Sequence, residues 1–163
     1  MKEIQLTQGF TALIDDEDFE AVSAYKWYVI VRKNRNTAYA VRGAEKQIFL
    51  HRFIWELMGN APARFVDHKD RNGLNDVRSN LRAATRGLNR ANAKINANSA
   101  SGFKGVHWRN DIKLWRARIS VNKERISLGQ FVDVKDAAMA YDRAAKEYFG
   151  EFANLNFPGP EGA

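Results

Sequence analysis

Apolar and basic residues alternate strictly through Leu114–Val121: Trp115, Ala117, Ile119 and Val121 fall on one side, Arg116, Arg118 and Ser120 on the other. A period of two predicts a half-buried strand. The flanking stretches repeat it, with Val106 and Trp108 against His107 and Arg109, and Ile126 and Leu128 against Arg125 and Ser127. The period then lengthens. Ala137, Ala138, Tyr141, Ala144, Ala145 and Tyr148 predict the inner stripe of a helix over 134–149, with Asp133 as its cap. Three antiparallel strands would share one apolar face, covered by that helix, and one basic face. Nearer the N-terminus the pattern predicts short strands over 4–6 and 10–14, a short helix after the acidic run 15–18, and strands over 26–32, 37–42 and 48–50. A helix over 51–58 follows. Asn34-Arg35-Asn36 marks a turn whose tip offers Arg32, Lys33 and Arg35 to a polyanion. The small polar stretch 95–101 has no period and reads as a linker.

Between these halves lies Phe65 to Asn92, which reads as strand, turn-rich loop, strand and helix. Asn72-Gly73 and Asn75-Asp76 are its turn signals, and Thr85 is a candidate N-cap. Its chemistry is concentrated in four side chains. Asp67 supplies a charged oxygen for a hard divalent cation, and Asn89 can supply a neutral one. The adjacent His68 is the side chain whose unperturbed pKa best suits a general base near neutral pH. Its second ring nitrogen needs an acceptor, which the side chain or backbone carbonyl of Asn80 could provide. Together they describe a one-metal site for phosphodiester hydrolysis.

Charge changes the picture through its distribution. The net formal charge is +7, yet residues 1–77 hold 11 Lys/Arg against 11 Asp/Glu. Residues 78–125 hold 12 against 2, and residues 126–163 hold 3 against 6. An excess concentrated mid-chain points to a polyanion partner with salt-sensitive affinity. Arg86, Arg90 and Lys94 recur at helical spacing and predict a basic stripe. The absence of cysteine excludes disulfides and Cys-ligated zinc. The first residues begin no signal-peptide pattern, and the longest apolar runs, such as 27–31, are too short to cross a bilayer.

The stretch carrying Asp67-His68, Ser79-Asn80-Leu81-Arg82 and Leu88-Asn89 resembles the HNH endonucleases of the ββα-metal superfamily, in particular the phage and intron-homing branch. The resemblance implies His68 as general base, Asn80 as the residue that orients it, and Asp67 and Asn89 as ligands of one Mg²⁺ or Mn²⁺ ion. Asn89 stands where the family name expects histidine, as in the homing variant. Leu50-His51-Arg52 resembles a further element of the branch, without fixing a role for His51. The block 102–158 resembles the plant Apetala-two/ethylene-response-factor domain through Lys104-Gly105-Val106, Trp108-Arg109, Leu128-Gly129-Gln130-Phe131, the alanine-rich helix and Leu155-Asn156-Phe157-Pro158. This implies a sheet laid in the DNA major groove by Lys104, His107, Arg109, Lys113, Arg118 and Arg125. Strand alternation adds Arg116. Ser127 and His107 replace the tryptophan and arginine of the plant domains, so the plant target sequence does not transfer.

The expected fold is α+β. A β-rich N-terminal scaffold leads into a ββα-metal nuclease unit (1–94, core about 64–94). A linker at 95–101 follows, then a three-stranded antiparallel sheet packed on one α-helix (102–158) and a tail at 159–163. The expected activity is metal-dependent cleavage of double-stranded DNA, in the cytoplasm of a bacterial or phage-infected cell, by a monomer or weak dimer with no membrane and no disulfide-linked partner. The alternative is a non-catalytic DNA-binding regulator with a vestigial HNH fold.

Overall fold

The computed structural model describes residues 1–32, 37–43, 45–96 and 98–159. The turn at 34–36, with Lys33, therefore lies outside the described residues, as does the end of the tail. The architecture is α+β, and the chain divides into two compact units, Met1–Thr85 and Arg86–Ala163.

In the first unit, β1 (Lys2–Gln5) and β2 (Thr11–Ile14) form an antiparallel hairpin. The acidic run makes one 3-10 turn before helix α1 (Phe19–Ser23). Strands β3 (Tyr28–Arg32), β4 (Thr37–Arg42) and β5 (Ile48–Phe49) form a second antiparallel sheet in that order. Helix α2 (Leu50–Leu57) follows directly. Strands β6 (Phe65–His68) and β7 (Leu81–Ala84) pair with Asp67 opposite Arg82 and His68 opposite Leu81. One core joins them: Ile4, Ala12, Ile14, Val22, Trp27, Val29, Leu50, Ile54, Val66 and Leu81 are all buried in it. The chain order of strands and helices follows the pattern predicted from sequence.

The acidic run is less wet than its composition suggests. Asp18 is only 1% exposed, and its carboxylate receives Arg78 Nε at 2.9 Å and Nη2 at 2.7 Å. Asp15 accepts the Arg78 backbone N–H at 2.7 Å, and Glu17 lies 2.8 Å from Nη1. Three carboxylates thus hold the segment leading into β7, because a buried charge persists only when paired and hydrogen-bonded.

In the second unit, helix α3 (Arg86–Asn92) precedes a sheet ordered β10-β9-β8, made of β8 (Val106–Arg109), β9 (Leu114–Val121) and β10 (Glu124–Phe131). Asn122 and Lys123, with φ of 50° and 73°, make the two-residue β9–β10 turn whose twist suits a hairpin. Helix α4 (Val134–Phe149) is capped as expected, Asp133 Oδ1 accepting Lys135 N–H at 2.6 Å. Ala117, Ile119, Ala137, Ala138, Tyr141, Ala144 and Ala145 are buried at the helix–sheet contact. Ala140 and Asp142 join the buried stripe, whereas Tyr148 is 43% exposed. Asp142 is buried because it holds the C-terminal segment, accepting from Asn156 N at 2.8 Å, Asn156 Nδ2 at 3.0 Å and Phe157 N at 2.8 Å. Gly105 is required twice over: its φ is +77°, and a Cβ there would lie 2.0 Å from the Tyr141 ring.

A buried histidine–carboxylate cluster and a basic sheet face

Asp67 and His68 occupy consecutive positions of β6, which strand geometry sends to opposite faces. Both are buried, at 6% and 5% exposure. On one face, Asp67 Oδ2 receives Arg82 Nε at 3.1 Å, with Nη2 also 3.1 Å away. On the other, His68 Nε2 lies 2.8 Å from Asp76 Oδ1. An ionised carboxylate only accepts, so this bond is one that His68 Nε2–H donates to Asp76.

Sequence reasoning read Asp76 as part of a turn; the structure makes it the acceptor that the ring requires. It is fully buried, and burial pushes its carboxyl above the usual range while the His68 hydrogen bond pulls it back. Its position is fixed from outside the loop. Asp76 N donates to Leu13 O at 2.8 Å and Leu13 N to Leu74 O at 2.8 Å, so β2 zips along the loop. A Cβ on Gly73 would meet Ala38 O at 2.4 Å and the Tyr39 ring at 2.6 Å, which seats the loop on β4. The apolar neighbours Leu74 and Val77 were the available signal that this loop turns inward.

Asn80, expected to orient the ring, is held by bonds within the loop. Asn80 Nδ2 donates to Asp70 Oδ1 at 2.9 Å and Asn75 O at 2.7 Å, and its Oδ1 accepts Asp70 N–H at 3.0 Å. Its backbone carbonyl accepts Lys69 N–H at 2.9 Å. Asn80 therefore shapes the loop that carries Asp76. Asp70 gains from the same network: burial raises its pKa, but hydrogen bonds from Asn75, Asn72 and Asn80 outweigh that and lower it.

His51, on α2, packs edge-on to His68 with ring centroids 4.9 Å apart, inside a wall formed by Tyr39 and Phe49. Burial holds its pKa well below 6.5, and His68 and Arg52 push the same way. His51, His68 and Asp76 bring donor atoms within 4.8 Å of one another. The group sits on the His68 side of β6, not the Asp67 side.

In the second unit, Arg86 and Arg90 are exposed on α3 and Lys94 is exposed just past its end, while Asn89 on the same helix is half-buried. His107, Arg116, Arg118 and Arg125 come from three paired strands, with His107 opposite Arg116 and Arg118 opposite Ser127. Burial lowers the His107 pKa, and the neighbouring Arg118 and Arg116 lower it further. Arg116 Nε is buried without a hydrogen-bond partner. Lys113 is exposed in the β8–β9 turn at φ 54°. Two predicted contacts are engaged within the unit. Arg109 Nε binds Asp111 at 2.8 Å, and this pairing drops the Asp111 pKa to about 2. Lys104 Nζ donates to the carbonyls of Ala91 and, at 2.8 Å, Ala93, where a cation meets the negative end of α3.

A family model described as HNH endonuclease matches residues 49–91, spanning α2, the β6–β7 hairpin and most of α3. The chain is 33% identical over 152 residues to an uncharacterized HNH endonuclease of Acanthamoeba polyphaga mimivirus, covering 91% of this chain and 76% of that protein. The chain belongs to the HNH endonuclease family. Protein 3.8 of Escherichia phage T7 is a further relative, 31% identical over 108 residues, 64% of this chain and 88% of its own. An AP2 domain model matches residues 101–151 of this HNH protein. There it is 39% identical over 66 residues to dehydration-responsive element-binding protein 2A of Arabidopsis thaliana, covering 37% of this chain and 18% of that one. The HNH match takes in His51, Asp67, His68, Asp76, Asn80 and Asn89, so the buried cluster lies inside the family's own segment.

The donor chemistry at Asp67 fits a hard divalent cation, since it is a carboxylate, although Arg82 shares its Oδ2. Among the described residues no helix is long and apolar enough to cross a membrane.

Proposed function

We propose that this HNH family member is a DNA endonuclease that hydrolyses a phosphodiester bond with one Mg²⁺ or Mn²⁺ ion. The observation that carries the reading is the buried Asp76–His68 hydrogen bond at 2.8 Å. It holds the ring at the end of β6 in the tautomer that leaves Nδ1 as a proton acceptor. His68 takes a proton from the attacking water at Nδ1. Asp76 stabilises the resulting imidazolium through Nε2–H, and Asn80 fixes the loop from which Asp76 acts. Asp67 would hold the cation through its carboxylate, with Asn89 as the second protein ligand by family resemblance. Once bound, the ion supplies positive charge to the scissile phosphate.

The nuclease unit is assigned to 1–94, the linker to 95–101 and the second DNA-binding domain to 102–158. That domain positions the cut through the major groove. Arg116, Arg118, Arg125, Lys113 and His107 face the duplex, Arg109 reaches it by leaving Asp111, and Arg86, Arg90 and Lys94 grip phosphates. Lys104 serves the fold. The working form is a monomer or weak dimer in the cytoplasm of a bacterial or phage-infected cell; the relative from Escherichia phage T7 supports the infected-cell setting.

The test is cleavage of supercoiled plasmid with Mg²⁺, Mn²⁺ or chelator. Nicked or linear product that chelator abolishes is expected, and wild-type protein that binds metal and DNA without cutting would refute the activity. One observation favours the non-catalytic alternative. Arg82 on Asp67 Oδ2 competes for the oxygen a cation needs, so Arg82→Ala rescuing metal binding without cleavage would mark a vestigial site.

A further inference from the structure

The nuclease reading leaves His51 without a task, yet the fold places it with care. His51 comes from α2, His68 from the end of β6 and Asp76 from the loop before β7. All three are at most 9% exposed, and their donor atoms lie within 4.8 Å of one another. Asp76 Oδ2 is buried with no hydrogen-bond partner, so the carboxylate has an oxygen that its one bond to His68 does not satisfy. A buried unpartnered oxygen is costly, and a cation would remove that cost. Two imidazoles and one carboxylate are the donor set of a borderline transition metal, whereas hard ions prefer oxygen throughout. The chain has no cysteine and only three histidines, so two of its three nitrogen ligands for such an ion are in this cluster.

We infer that His51, His68 and Asp76 form a binding site for a borderline divalent cation such as Zn²⁺ or Co²⁺, separate from the hard-cation position at Asp67. Coordination through His68 Nε2 replaces its hydrogen bond to Asp76. The ring hydrogen moves from Nε2 to Nδ1, and the electron pair at Nε2 binds the ion. The lone pair on Nδ1 is thereby removed, so the same ion switches off the base. The binding site stands by itself; only this inhibitory consequence rests on the nuclease reading.

The experiment titrates full-length protein, freed of metal, with Zn²⁺ by calorimetry and with Co²⁺ by visible absorption. Imidazole ¹⁵N spectra are recorded in parallel. One ion per chain is expected, with the His51 and His68 resonances displaced and those of His107 unchanged as an internal control. His51→Gln and, separately, Asp76→Asn should each weaken Zn²⁺ binding by more than about tenfold. Absence of a 1:1 site, or displacement of His107 alone, overturns the proposal on wild-type protein even if neither variant folds. Unchanged affinity in a folded His51→Gln variant overturns it too. In Mg²⁺-supported plasmid cleavage, Zn²⁺ should inhibit wild type at concentrations that leave His51→Gln less affected. Zn²⁺ binding without any wild-type cleavage would defeat the nuclease reading and leave the cation site intact.

Discussion

The two units of this protein treat charge in opposite ways. In the first, the charged groups that matter are drawn inside and paired: Asp18 with Arg78, Asp67 with Arg82, and Asp76 with His68, each carboxylate less than 7% exposed. In the second, cations are spread over the exposed side of a sheet whose other side is alanine and isoleucine. Burial confers fixed geometry on donor and acceptor, which proton transfer requires. Exposure confers reach and additive attraction, which suits a polyanion whose position along the groove must vary. A change in the first unit should therefore act steeply and through one residue, and a change in the second gently and through many.

The sharpest way to break that contrast is at His68. With the plasmid assay in Mg²⁺, His68→Ala should lower the cleavage rate by roughly 10²–10⁴-fold while DNA affinity holds. If cutting continues at the wild-type rate, the buried cluster is architecture. Asp76→Asn should come next, at about 10²-fold in rate with little change in the substrate concentration needed. The amide can reverse the hydrogen bond and favour the wrong tautomer, so imidazole ¹⁵N shifts should show the ring hydrogen moved to Nδ1. A rate loss without that shift would mean Asp76 matters only to folding.

Much of this is legible in the sequence. The strands of the second sheet and the helix over it follow from period and capping alone, because one amphipathic face must be buried by another. That Asp67 and His68 end a strand is legible from residue type and spacing. What escapes is the identity of the partner. Asn75-Asp76 looks like a turn by composition, and nothing in the local pattern says that β2, some sixty residues earlier, bonds to both sides of it. Asn80 is equally hard to place from sequence, because its side-chain bonds go to Asp70 and Asn75 of the same loop. Side chains of similar chemistry crowd this loop, and only the long-range clamp decides which one meets the ring. Lys104 shows the converse. It lies in a basic motif, but the carbonyl ends of α3 take its charge inward.

In the second unit a backbone change should do more than the removal of any single cation. Gly105→Ala places a methyl group against Tyr141 at a φ of +77°, and should destabilise this unit by at least about 2 kcal/mol in chemical denaturation. A smaller effect would show that Tyr141 can rotate away. Arg116→Ala and Arg118→Ala should each weaken DNA binding only several-fold, across sequences, and reduce the slope of log affinity against log salt by about 0.9 for each phosphate no longer neutralised. A weakening confined to one DNA sequence would instead mark that arginine as a reader of bases.

The smallest expected effect tests the contrast most finely, because it concerns a histidine outside the buried cluster. His107 lies opposite Arg116, and burial, Arg118 and Arg116 all lower its pKa from 6.5. It is therefore neutral at pH 7 in the free protein. Phosphates brought against the face oppose the two arginines and raise that pKa, so DNA binding takes up a proton at pH values between the free and the bound pKa. Affinity should rise as pH falls through that window, whereas His107→Ala should lose the rise. The linkage for folding has the opposite sign. The unfolded chain protonates at 6.5 and the folded one lower, so this residue's contribution to stability is full above 6.5 and declines as pH falls. Binding that strengthens while the fold weakens, both traced to one exposed ring by calorimetry and denaturation on the same pair of proteins, is the signature of a histidine held among cations. A flat binding profile in wild type would place His107 away from the phosphates.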